Sequence, residues 1–153
     1  MMHYNSYLGR GISDYLYAKS SMQGEKKQEY NWPVVIFAQA AEKLLKAVIE
    51  KKFTDDSSCI ALMRTHNLRT IVSKILERYP DAKLSSKDCK WIGDFYFDAR
   101  YPGDDFIVVS WQDAIEAMEI VENILEEVEK ILDSEEEKSL FADYKQRVAI
   151  INR

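Results

Sequence analysis

The stretch Pro33-Val34-Val35-Ile36-Phe37-Ala38-Gln39-Ala40-Ala41-Glu42-Lys43-Leu44-Leu45-Lys46-Ala47-Val48-Ile49-Glu50 decides the fold class. Its apolar residues Val34, Phe37/Ala38, Ala41, Leu44/Leu45 and Val48/Ile49 recur at steps of three and four. That is the period of one helix face, not the alternation of a half-buried strand. Pro33 suits the first turn, because its missing N–H would have had no intrahelical acceptor there. Gln39, Glu42, Lys43, Lys46 and Glu50 form a second, polar stripe. Glu42 and Lys46 stand four apart in the favourable order, worth roughly 0.3 kcal/mol.

The same spacing extends outward in both directions. Upstream, Tyr4, Tyr7/Leu8, Ile12, Tyr15/Leu16 and Met22 mark a helix. Gly9 and Gly11 lie inside it and predict a ragged start, since each weakens a helix by about 1 kcal/mol relative to Ala. Gly24 and Glu25-Lys26-Lys27 break the pattern. Downstream, the polar cluster Thr54-Asp55-Asp56-Ser57-Ser58 makes residues 54–64 a loop or frayed turn. Thr65 or Asn67 can cap a third helix through Leu68, Ile71/Val72, Ile75 and Tyr79, which Pro80 stops. Ser85 and Asp88 match a capping box, flanked by Leu84 and Cys89 as a hydrophobic staple. The fourth helix continues through Ile92, Phe95/Tyr96 and Ala99 to Pro102-Gly103. Phe106 to Val109 is strand-like but short and isolated, an extended connector. Ser110 and Asp113 open a fifth helix with a near-heptad seam from Trp111 to Leu132, about 30 Å long at 1.5 Å per residue. Ser134 and Glu137 open a last one through Leu140/Phe141, Tyr144, Val148 and Ile151. The expectation from the residues is one all-α helical bundle over residues 1–153 with no domain boundary.

Composition narrows the function classes. With 46% hydrophobic and 31% charged residues, the chain is globular rather than disordered. A net charge of −5 argues against a dedicated non-specific nucleic-acid binder, which must neutralise many phosphates. The charge is uneven. Residues 1–109 hold 16 Lys/Arg and 14 Asp/Glu, whereas 110–143 hold 2 basic and 12 acidic residues. Any anion site therefore belongs in the first two-thirds, and the acidic run reads as a solvated helix face. Cys59 and Cys89 do not make a disulfide framework, and Met1-Met2-His3-Tyr4-Asn5 does not open like a signal peptide. The longest apolar run, Val34 to Ala38, is too short to span a bilayer. These features fit a cytoplasmic, reduced setting with no membrane attachment. His3 and His66 have no carboxylate or cysteine at ligand spacing, so no metal is expected. Gly9-Arg10-Gly11 is too short for a phosphate loop, and no cofactor is expected. Cys59 or Cys89 could pair with His66 only on paper, because nothing nearby would activate the thiol.

The segment Asp94-Phe95-Tyr96-Phe97-Asp98-Ala99-Arg100-Tyr101-Pro102-Gly103 places an Arg at a helix C-terminus between two Tyr and a rigid turn. Two readings stay open. Arg100 can simply complement the helix dipole and pair with Asp98 or Asp104. Alternatively its planar fork can hold a phosphate while Tyr96 or Tyr101 stacks on a base. The polar stripe with Gln39, Glu42, Lys43 and Lys46 has the same two readings, a wet face or a site, and His66 can be an ordinary helix-start residue.

Three fragments, in order, resemble one family. Phe37-Ala38-Gln39-Ala40-Ala41-Glu42-Lys43-Leu44-Leu45-Lys46-Ala47 resembles the second-helix signature of HEPN domains. Thr65-His66-Asn67-Leu68 resembles that family's third-helix start, and Tyr96 with Arg100-Tyr101-Pro102 the end of its fourth helix. The resemblance spans a core of about 4–132, leaves 134–150 as an extension, and implies an all-α, up-and-down helical bundle of about five helices plus a C-terminal extra helix. It also implies homodimers, frequent partnership with a small nucleotidyltransferase, and nucleotide binding or metal-independent RNA cleavage in toxin–antitoxin or defence systems. In catalytic members a His follows the Arg after four to six further residues. Here the corresponding positions hold Asp105, Phe106 and Ile107. The resulting expectation is a non-catalytic module that binds a nucleotide or a nucleotidyltransferase partner. Its site residues would be Arg100, Tyr96, Tyr101, Lys43, Lys46, Gln39 and His66, with no catalytic residue assigned. The alternatives are an endoribonuclease toxin with an atypical active site, and a structural dimerisation module.

Overall fold

A computed structural model describes residues 4–24 and 29–152. The reading of Met1 to His3 and of the break at Glu25 to Lys27 lies outside those residues. Seven helices follow in order: α1 (Tyr7–Ser21), α2 (Asn31–Lys52), α3 (Cys59–Arg64), α4 (Leu68–Arg78), α5 (Ser86–Arg100), α6 (Trp111–Ile131) and α7 (Glu135–Ile151). Among the described residues there is no strand, and the fold is the expected all-α up-and-down bundle with a C-terminal helix. None of these helices is long and apolar enough to cross a membrane.

Helix α2 forms the centre, packed by α1, α3, α4, α5 and α6. Val34, Phe37, Leu44, Leu45, Val48 and Ile49 are fully buried. Burial of each such side chain contributes about 1.5–3 kcal/mol, and truncating Leu44 to Ala would cost about 2–5 kcal/mol. Gln39, Glu42, Lys43 and Glu50 of the polar stripe stay half-buried, while Lys46 is covered. Helix α1 approaches α2 most closely at Gly11, where a Cβ would lie 2.8 Å from Leu44 Cγ. The glycine that the sequence marks as a helix weakness is therefore what lets the two helices touch. Nor is the start of α1 ragged, since the Ser6 hydroxyl accepts from Gly9 N at 3.0 Å.

The predicted caps form. Asn67 accepts from Thr70 N, Ser85 from Asp88 N, and Ser134 from Glu137 N. At Ser110 and Asp113 both halves of the capping box are present. Pro33 lies in the first turn of α2, and Val34 N bonds back to Tyr30 O at 3.3 Å. Leu84 and Cys89, the staple residues, are both buried.

Two further expectations change. Residues 59–64, taken as loop, form the short α3. Asp56 holds the turn before it by accepting from Ser58 N at 2.8 Å, and only Leu62 of the helix is buried. A single buried residue gives no period to read. The acidic run is also not wholly a solvated face. Glu127 of α6 is 3% exposed, accepting from Lys83 N at 2.7 Å and pairing with Lys130 at 2.8 Å. These donors hold its carboxyl below the usual carboxylate range, the Lys130 hydrogen bond most of all. Glu122 accepts from the Tyr15 hydroxyl and stands 3.6 Å from Lys19. Burial, then Glu122, raises the Tyr15 phenol above its ordinary value. Tyr144 of α7 packs edge-on against Tyr15 at 5.8 Å. Burial pushes its phenol up to about 12. Helix α7 is thereby seated on α1 and α6, with Leu140 and Phe141 buried beneath it.

Candidate functional site

Where α4 and α5 lean against α2, they leave a cleft of about 420 Å³. That volume falls within the range of small-molecule sites. Helix α2 contributes Ala38, Gln39, Glu42 and Lys43, and the start of α4 contributes His66 and Leu68. Helix α5 and its C-cap contribute Gly93, Tyr96, Phe97, Arg100 and Tyr101. Six of the seven sequence-predicted residues thus line one cavity. The seventh, Lys46, lies behind it: 4% exposed, it reaches Glu42 Oε2 at 3.2 Å.

Arg100 is exposed, at the last helical position of α5. Its guanidinium donates to the Tyr96 hydroxyl, and its Cζ lies 5.1 Å from the centres of both the Tyr96 and Tyr101 rings. Among the described residues no carboxylate pairs with it, although Asp98 and Asp104 are near in sequence. Aromatic faces hold the cation by its charge and flat shape without neutralising it. The fork remains available to an anion.

Across the cleft, His66 Nδ1 donates to Glu42 Oε1 at 3.0 Å. A carboxylate offers only lone pairs, so a proton sits on Nδ1; in the neutral imidazole Nε2 is then the acceptor. Lys46 holds the same carboxylate from behind, while Lys43 pairs with Asp14 of α1. Glu42, part of the ambiguous polar stripe but not named among the site residues, thus lines the cleft, as do Leu68 and Phe97, which the sequence reading left out of the site. For Glu42, its place three residues after Gln39 on the polar stripe was the available signal.

Asn31, the first residue of α2, had no such signal. It is 7% exposed, and its Nδ2 donates to Ala99 O at 3.0 Å and to Ile107 O at 2.7 Å. Its Oδ1 accepts from Val109 N at 2.8 Å. Tyr30 N bonds Val109 O, and Ile107 N bonds Asp98 O, both at 3.0 Å. One side chain therefore fastens the end of α5 and the loop after it to the central helix, directly behind Arg100.

Cys89 takes no part in chemistry here. It is 1% exposed, and burial pushes its thiol up to about 12, which suppresses the nucleophilic thiolate. Among the described residues, no group of three or more His, Cys, Asp or Glu is placed to hold a metal ion.

A helical bundle with this cleft, an α2 carrying Gln39, Glu42 and Lys43 and an α5 ending in Arg100, defines a class that sequence comparison identifies. The family model described as the HEPN domain matches residues 4–131, and the chain belongs to that family. Membership points to a nucleotide- or RNA-related role. Helix α7 lies beyond the matched span. No curated protein and no solved structure matches the chain.

Proposed function

We propose that the cleft between α2, α4 and α5 binds a nucleotide without cleaving it. The observation that carries this reading is the Arg100 guanidinium, stacked between Tyr96 and Tyr101 with no carboxylate partner among the described residues. Its fork takes the phosphate, and one of the two rings turns its face to the base. Gln39 and His66 Nε2 offer hydrogen bonds to the base or sugar, while the charge of Lys43, expected to add positive potential, is taken up by Asp14. Lys46 acts through Glu42 rather than on the ligand. The absence of His at positions 105–107 favours binding over chemistry. The wider reading rests on family membership: a homodimer that partners a small nucleotidyltransferase, as in toxin–antitoxin or defence systems.

Calorimetric titration of ATP into the protein tests the site. Arg100→Ala should weaken binding about tenfold or more with helicity unchanged, since a hydrogen bond to a charged group is worth about 1.5–3 kcal/mol. Equal affinity in the variant rules the assignment out.

A second reading is RNA cleavage, and one observation favours it. His66 restores a histidine to the Arg100 cleft from a different element, with Nδ1 fixed by Glu42. Its Nε2 could take the proton of a 2′-hydroxyl as that oxygen closes on phosphorus and the 5′ oxygen leaves, protonated by water. RNA products ending in 2′,3′-cyclic phosphate, lost in His66→Ala, would select this reading. Intact RNA after long incubation would reject it.

A further inference from the structure

The cleft does not end at Phe97. A second lobe of about 390 Å³ opens between the start of α4 and the middle of α5. His66, Leu68, Gly93 and Phe97 line both lobes, so the two form one groove with a waist. At that waist Gly93 faces Leu68, where a Cβ would make ordinary van der Waals contact at 3.8 Å from Leu68 Cγ.

The charges divide evenly along this groove. Lys43 is paired with Asp14, Glu42 with Lys46, and Lys90 with Asp94. What remains is one guanidinium per lobe without a carboxylate partner among the described residues: Arg100 in the first, Arg69 in the second. Between them stands Phe97, 55% exposed. It meets Tyr96 edge-on, ring centres 5.2 Å apart and planes at 88°, so the two rings turn their faces in different directions.

We propose that the groove takes two adjacent nucleotides of a single strand, one phosphate on Arg100 and the next on Arg69, with Phe97 stacking at the waist. The inference rests on the nucleotide-binding reading above and adds the length of the ligand. A mononucleotide would fill one lobe and leave Arg69 and an exposed Phe97 facing water. A duplex does not fit, because its paired bases are already stacked on each other and offer no free face to a ring. A free dinucleotide and a stretch of longer strand present the same chemistry.

The test titrates adenosine monophosphate, 5′-phosphorylated diadenylate and 5′-phosphorylated hexaadenylate into the full chain, wild type and Arg69→Ala. The dinucleotide should bind about tenfold tighter than the mononucleotide, the size of one added base stack and phosphate contact. Arg69→Ala, which touches the second lobe alone, should erase that gain and leave the mononucleotide affinity unchanged, whereas Phe97→Ala should also reduce the gain. Equal affinity for the mono- and dinucleotide overturns the proposal while leaving the nucleotide site standing, as does a gain that survives Arg69→Ala. Loss of all binding in wild type overturns both. A further gain with the hexamer supports the groove and assigns it to a strand. Equal affinity of hexamer and dimer supports it and assigns it to a dinucleotide.

Discussion

Replacing Asn31 by Ala removes three hydrogen bonds at once: two donated, to Ala99 O and Ile107 O, and one accepted from Val109 N. Val109 is fully buried and Ala99 is 4% exposed, so water does not readily replace the lost partner. Each bond is worth about 1 kcal/mol net, and a buried group left unpaired costs about 1–3 kcal/mol. The expected loss is about 4 kcal/mol, which for a domain of this size lowers Tm by roughly 10 °C. Asn31→Asp makes the reasoning sharper. It keeps the side-chain shape and the acceptor for Val109 N, yet turns an oxygen toward two carbonyls, so it should be no milder than Ala. Urea denaturation gives the free energy. Hydrogen exchange at the Val109 amide shows whether the loop has come loose. Because the clamp lies behind Arg100, nucleotide affinity should fall in the same variants at temperatures where they remain folded. An Ala variant within about 1 kcal/mol of wild type, with Val109 exchange still slow, would refute the account.

Three further outcomes follow from other parts of the bundle. Gly11→Ala adds a Cβ 2.8 Å from Leu44 Cγ and 3.2 Å from its backbone N, and Leu44 is fully buried with no room to swing. The overpacking cost of about 1–3 kcal/mol should exceed the gain of about 1 kcal/mol in helix propensity, so denaturation should show net destabilisation rather than the usual stabilising effect. Asp56 is held down to about 2 from 3.8, first by the Ser58 hydroxyl and amide and then by Lys74. Its folded form holds fewer protons than the unfolded chain between those values, so its stabilisation is present above pH 3.8 and lost as pH falls toward 2. Asp56→Asn should flatten that part of an acid titration. Cys89, its thiol raised to about 12 by burial, should resist iodoacetamide at pH 8 until the chain is unfolded, whereas partly exposed Cys59 should react in the native protein.

Much of this molecule is written in local order. The three- and four-residue spacing from Val34 to Ile49 specifies a helix whatever surrounds it, and Ser85, Ser110 and Ser134 announce helix starts because capping involves only the next turn. The same locality explains the omissions. Helix α3 buries only Leu62, too little to print a period. Gly11 looked like a weakness because its partner, Leu44, lies on another helix. Glu122 and Glu127 looked like solvated charges because Tyr15, Lys19 and Lys83 come from distant segments.

The candidate site divides the same way. Side-chain chemistry left Gln39, Lys43, His66, Tyr96, Arg100 and Tyr101 open between an ordinary helix surface and a phosphate and base site, and the family resemblance of their three fragments named them as the site. That they share one cleft was decided by the packing of α4 and α5 on α2, and that the end of α5 and the loop after it are fastened to α2 was decided by Asn31 across the chain. Lys46, chemically as apt as Lys43, was withdrawn by burial against Glu42. Periodicity fixes which face of a helix is apolar. Which polar groups meet, and which are left unpaired to receive a ligand, depends on contacts between residues far apart in the chain, and those exist only once the helices have packed.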